Sequence, residues 1–134
     1  MSNNNNFNQN NQYKPPIVLP SNILSYIIDK TNNKRSIVLP DTLITLDINE
    51  EFNQSIILPD NLYKLIISGI FNKPIILPYN LYELEINGEY KQPIILPTTT
   101  VELKIRGEYN QPIIFPDYMR LIMINGDYAI NTTK

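Results

Sequence analysis

Phe71-Asn72-Lys73-Pro74-Ile75-Ile76-Leu77-Pro78-Tyr79-Asn80-Leu81-Tyr82-Glu83-Leu84-Glu85-Ile86-Asn87-Gly88 decides the fold, because it returns on both sides of itself. The template runs from an aromatic residue, Asn and a polar residue through Pro or Ser to Ile-Ile-Leu-Pro, then through two spaced leucines to Ile-x-Gly, with departures in individual copies. The second proline falls at Pro20, Pro40, Pro59, Pro78, Pro97 and Pro116, at separations of 20, 19, 19, 19 and 19 residues. A fixed period near twenty is the mark of a solenoid, in which each repeat is one turn stacked on the last. A lone turn cannot bury enough apolar surface to offset the entropy of ordering it, so only the stack is stable.

Two segments of each turn read as extended. Ile-Ile-Leu is short, β-branched and flanked by prolines. Leu84-Glu85-Ile86-Asn87 alternates apolar and polar, the period-2 pattern of a half-buried strand, and places Leu84 in the core between Leu65 and Leu103 with Glu83 and Glu85 outward. Gly69, Gly88, Gly107 and Gly126 close successive strands and mark a corner, where the first two turns carry Lys30 and Glu50 instead. Prolines recur too densely for helices. The first turn is the odd one: it has Tyr26 in the leucine column, Asn33 in the aromatic column, and a surface bulge expected at Thr31-Asn32-Asn33-Lys34-Arg35.

Composition narrows the setting. A net charge of −2 with mixed signs gives no reason to expect nucleic acid or an anionic membrane as partner. With no cysteine and no histidine, disulfides and the usual zinc or copper ligands are absent, and no cofactor or metal is expected. No apolar run approaches the roughly 20 residues of a membrane span. Met1-Ser2 followed by asparagines lacks the pattern of a signal peptide, which points to an intracellular, cytoplasmic protein. The expected organisation is an Asn-rich disordered tail over 1–12, the array over 13–128 and a short tail over 129–134.

Phe52-Asn53-Gln54-Ser55-Ile56 and its counterparts, followed by Leu-Pro-x-x-Leu-x-x-Leu-x-Ile, resemble the FNIP repeat, a relative of the leucine-rich repeat found in social amoebae and in large DNA viruses of amoebae. The resemblance covers residues 13 to about 128. It implies an all-β, leucine-rich-repeat-like solenoid of about six 19-residue turns with little or no helix. Many members carry an F-box ahead of the repeats and resemble substrate adaptors of ubiquitin ligases; here a dozen polar residues precede the array, with no F-box. The family brings no catalytic residues with it.

The aromatic column Phe52, Phe71, Tyr90, Tyr109 and Tyr128 is expected as an internal spine rather than a ligand platform. Outward strand positions, five, seven and nine residues after each proline, vary while the framework repeats. Tyr63, Lys64, Ile66, Tyr82, Glu83, Glu85, Glu102 and Lys104 on this face are the candidate partner-binding residues, for a protein of unknown identity. The bland alternative is a solvated sheet with Lys64–Glu83 and Glu85–Lys104 as cross-strand pairs. Glu83, Glu85, Glu102 and Asp47 are the only carboxylate cluster, the basis of a remote reading as a glycan-active enzyme. A structural role, with self-association through the solenoid ends, is the closer alternative. Only Asp127 to Lys134 follow the last turn, so Leu121–Ile124 is expected to be an open edge and the C-terminal turn a site of homo-oligomerisation.

Overall fold

The computed structural model describes residues 14–32, 34–49 and 51–130. The Asn-rich segment 1–12, Tyr13, Asn33, Glu50 and residues 131–134 lie outside the described residues, and with them the expectations placed there. The chain is an all-β solenoid of about six turns spaced by about 19 residues. Its strands are β1 (Ile17–Val18), β2 (Ser25–Ile28), β3 (Ile37–Val38), β4 (Thr45–Ile48), β5 (Lys64–Gly69), β6 (Glu83–Gly88), β7 (Glu102–Arg106), β8 (Leu121–Ile124) and β9 (Asp127–Ile130). A sheet of order β2-β4-β5-β6-β7-β8-β9 forms one wall, parallel throughout until its final pair. Leu46, Leu65, Leu84 and Leu103 stand in register across it, as do Ile48, Ile67, Ile86 and Ile105, all facing inward.

Leu-Pro-x-x-Leu is a turn motif. The carbonyls of Pro40, Pro59, Pro78, Pro97 and Pro116 accept hydrogen bonds from the amides of Leu43, Leu62, Leu81, Thr100 and Met119, three residues on, at 3.0–3.2 Å. Each of those last residues is buried. Thr100 is the polar exception, and its hydroxyl donates to the Leu81 carbonyl at 2.8 Å, so burial leaves it satisfied.

The aromatic spine is internal. Phe52, Phe71 and Tyr90 are buried, and successive rings from Phe52 to Tyr109 stack at 6.0–6.5 Å with nearly parallel planes. The tyrosines reach a partner at the rim: Tyr90 Oη donates to the Lys73 carbonyl at 3.0 Å and Tyr109 Oη to that of Gln92 at 3.1 Å. The asparagine after the ring ties turns together. Asn53 Oδ1 accepts the Asn72 amide at 3.0 Å, and Asn72 Oδ1 the Lys91 amide at 2.9 Å. A second polar ladder runs two residues after the proline, where Asn61, Asn80 and Thr99 donate to carbonyls of the turn before. Close stacking also explains the glycine column: a Cβ at Gly88 would lie 2.7 Å from the carbonyl oxygen of Gly69.

The opposite wall is more irregular than its sequence. Among the described residues, only β1 and β3 pair there as strands. Further along, the first and third residues of the motif turn inward, as Ile56 and Leu58 or Ile94 and Leu96, whereas the middle one points to solvent.

Two expectations are corrected. The first concerns the extra residue of turn one. It is taken up between β2 and β3 by a single 3-10 turn, Lys30–Asn32, rather than a surface bulge. Asn32 is buried and stands four residues after β2, as Phe52 stands four after β4; its Oδ1 accepts the Asp29 amide at 3.1 Å. The second concerns the C-terminal edge. β8 is not open, because the chain reverses at Asn125-Gly126 and β9 pairs antiparallel with it, placing Tyr128 opposite Met123 instead of in the stacked loops. Both turn residues have positive φ, 50° and 90°, the conformation of a two-residue type I′ hairpin loop.

Candidate functional site

The sequence-predicted residues form one patch. Lys64 and Ile66 of β5, Glu83 and Glu85 of β6, and Glu102 and Lys104 of β7 alternate outward because the leucines between them face in. Register sets Lys64 beside Glu83 and Glu83 beside Glu102, then Ile66 beside Glu85 and Glu85 beside Lys104. Tyr63 and Tyr82 sit one residue before their strands and stack at 4.7 Å with planes 7° apart. They remain accessible: Tyr63 is 46% exposed and Tyr82 partly so.

Charge on this patch is interlocked. Glu83 is gripped from both sides, by Lys104 Nζ at 2.7 Å and Lys64 Nζ at 3.2 Å. Burial pushes its carboxyl up, but the hydrogen bonds and charges of the two lysines together outweigh that and hold it below the usual carboxylate range. The bond to Glu83 raises the Lys104 ammonium in turn. Lys104 also meets Glu102 at 3.6 Å. Glu85 pairs with Arg106 at 2.6 Å and accepts from Asn87 Nδ2 at 3.0 Å, rather than forming the expected pair with Lys104.

Asp47 behaves differently. It lies between Ile27 and Ile66 in register, and burial, then Glu85, raise its carboxyl against a smaller opposing pull from Lys64. Its Oδ1 and the Oδ1 of Asn87 are buried acceptors with no donor. Sequence reading took Asp47 as one acid of a cluster, but the cluster is divided: three glutamates meet cations and the aspartate sits among isoleucines. Arg106 and Asn87, in the outward column nine residues after the proline but not among the candidate residues, complete the ionic network. Sequence reading missed the margin column: Leu24, Ile44 and Val101 continue the line of Tyr63 and Tyr82, four residues after each proline. Counting from the prolines finds all of them.

Among the described residues, no group of three or more His, Cys, Asp or Glu is placed to hold a metal ion, and no helix is long and apolar enough to cross a membrane. What the face can do chemically is present a planar aromatic step, a neutralised ionic lattice and two unsatisfied acceptors. Fold and face define a parallel β-solenoid with one patterned sheet surface. Comparison with protein-family models, curated proteins and solved structures gave no match.

Proposed function

We propose that this chain is a non-catalytic protein-interaction module of the FNIP-repeat kind, working inside the cell and presenting its sheet face to a protein partner. The observation that carries the reading is the Tyr63–Tyr82 stack, ordered by its own ring contact yet accessible on the same face as Ile66. Rigid aromatic anchors lose little entropy on binding, and tyrosine is enriched at interface cores. The FNIP-like repeat pattern aligns the reading with the substrate-recognition part of F-box adaptors.

The test compares capture from cell lysate by the wild type, Tyr82→Ala and Ile66→Lys, with bound proteins identified by mass spectrometry. Lysine at 66 falls between Asp47 and Glu85, so folding is not harmed. A partner of this face is expected to lose at least tenfold in recovery with either variant while the melting temperature stays within a few degrees. Partners retained by both variants would place recognition elsewhere.

A further inference from the structure

The middle residue of each Ile-Ile-Leu motif is a framework position that the core does not use. Val18, Val38, Ile57, Ile76, Ile95 and Ile114 are 71, 50, 88, 90, 86 and 88% exposed, one per turn, on the wall opposite the sheet. Their chain neighbours at the motif's other two positions are buried or half-buried, except Phe115 beside Ile114, which is itself 42% exposed, so these six side chains form one file along that wall. Two residues before each comes an exposed proline or serine, and two after each a proline, so no charge enters the file itself. Grooves run between rungs: one of about 490 Å³ beside Val38 and Ile57, and an apolar one of about 350 Å³ beside Ile76 and Ile95. Repetition without burial indicates a surface kept apolar for contact.

We propose that a second copy of this chain covers this ladder, giving a closed back-to-back dimer. Three arguments select that occupant. Six such rungs with their flanking prolines present on the order of 800 Å² per copy, the size of a standard stable interface. Rung spacing is set by the stack, and a partner that matches it over six rungs is another stack of the same kind. The margins are also complementary. Three or four residues before the exposed side chain the chain passes Lys14, Lys34, Lys73 and Lys91; three residues after it, Asp41, Asp60 and Asp117. Asp41 and Asp60 line the same groove as Val38 and Ile57.

Those margins choose the symmetry. A two-fold axis parallel to the stack reverses the direction of the facing rungs and, on the second turn, sets Lys34 against the partner copy's Asp41. An axis across the stack would set Lys34 against the partner copy's Lys91. The parallel axis therefore holds, rung meets its own equivalent, and the contact closes at two copies. Both sheet faces then point away from the interface, which leaves them free. By composition the Asn-rich segment 1–12 is a poor occupant for the ladder, with Met1 and Phe7 its only large apolar residues.

Sedimentation velocity of the full chain over a hundredfold concentration range is expected to show a monomer–dimer equilibrium. The variant Ile76→Lys with Ile95→Lys, at two positions outside the core, is expected to weaken it at least tenfold with an unchanged circular dichroism spectrum. The chain has no cysteine, so single-cysteine variants report geometry directly. Ile57→Cys and Ile114→Cys are each expected to cross-link to their own equivalent with a short bis-maleimide. A strictly monomeric wild type overturns the proposal, as does a dimer indifferent to the two lysines. Cross-linking of Ile114→Cys only to Val18→Cys overturns the parallel axis.

Discussion

Tyr90 shows how one residue type serves packing and polarity at once. Its ring continues the Phe52–Phe71 stack, while its hydroxyl reaches the Lys73 carbonyl at 3.0 Å. Burial, then the neighbouring Tyr109, push its phenol from 10.0 to about 12. A proton held more tightly in the folded chain stabilises the fold fully below the unfolded value of 10 and is lost as pH rises towards 12. Melting temperature is therefore expected to fall over that window in step with tyrosinate absorbance. Tyr90→Phe should flatten the dependence while costing about 1 kcal/mol at neutral pH for the missing hydrogen bond; an unchanged slope would assign the titration to another tyrosine. The column itself was legible, because a ring at fixed spacing in an apolar repeat is an internal spine. Asn53 and Asn72 were legible as repeated letters but not as amide acceptors for the next turn, because that role depends on a neighbour 19 residues away. The outward turn of Ile57, Ile76, Ile95 and Ile114 was hidden for another reason: within three consecutive apolar residues, alternation leaves no polar mark.

At the scale of elements, the β8–β9 hairpin replaces the edge that the repeat period suggested. Counting by nineteen put Gly126 in the column of Gly69, Gly88 and Gly107, and that assignment concealed the Asn-Gly pair, the strongest short-range hairpin signal. Two rules competed for the same residues, and local turn chemistry won, with φ of 50° at Asn125 and 90° at Gly126. β9 ends the parallel stacking by reversing direction, so no further turn can continue the array in register. Gly126→Val places a β-branched residue in a backbone conformation that it tolerates poorly. Hydrogen exchange of the β8 amides is expected to accelerate at least tenfold in this variant, while β5 and β6 keep their protection. Unchanged exchange in β8 would mean that β9 contributes nothing to holding the last turn. The same element-level reasoning accounts for turn one, where a twentieth residue fits because a 3-10 turn shortens the path and draws Asn32 inward.

For the whole molecule, stability is a sum over turns and the contacts between them, because each turn meets only its neighbours. The ladders that join turns are interchangeable: leucine against leucine, ring against ring, carbonyl against the amide one period on. Deleting one full period, residues 70–88, joins Gly69 to Glu89 and leaves every framework column unbroken. Lys64 would then stand beside Glu102 and Ile66 beside Lys104, so the sheet face gains no like-charge contact. This chain is expected to fold to the same β spectrum and unfold cooperatively. Because denaturant sensitivity scales with the surface exposed on unfolding, its m-value should fall by about one sixth, and the urea midpoint should drop with the lost interface. Deleting residues 70–78 instead brings Tyr79 directly after Gly69 and removes the inward Ile75 and Leu77 together with Phe71, so the remaining wall has no counterpart beneath β6. That chain is expected to lose cooperative unfolding. Equal behaviour of the two deletions would mean that the 19-residue turn is not the unit of folding.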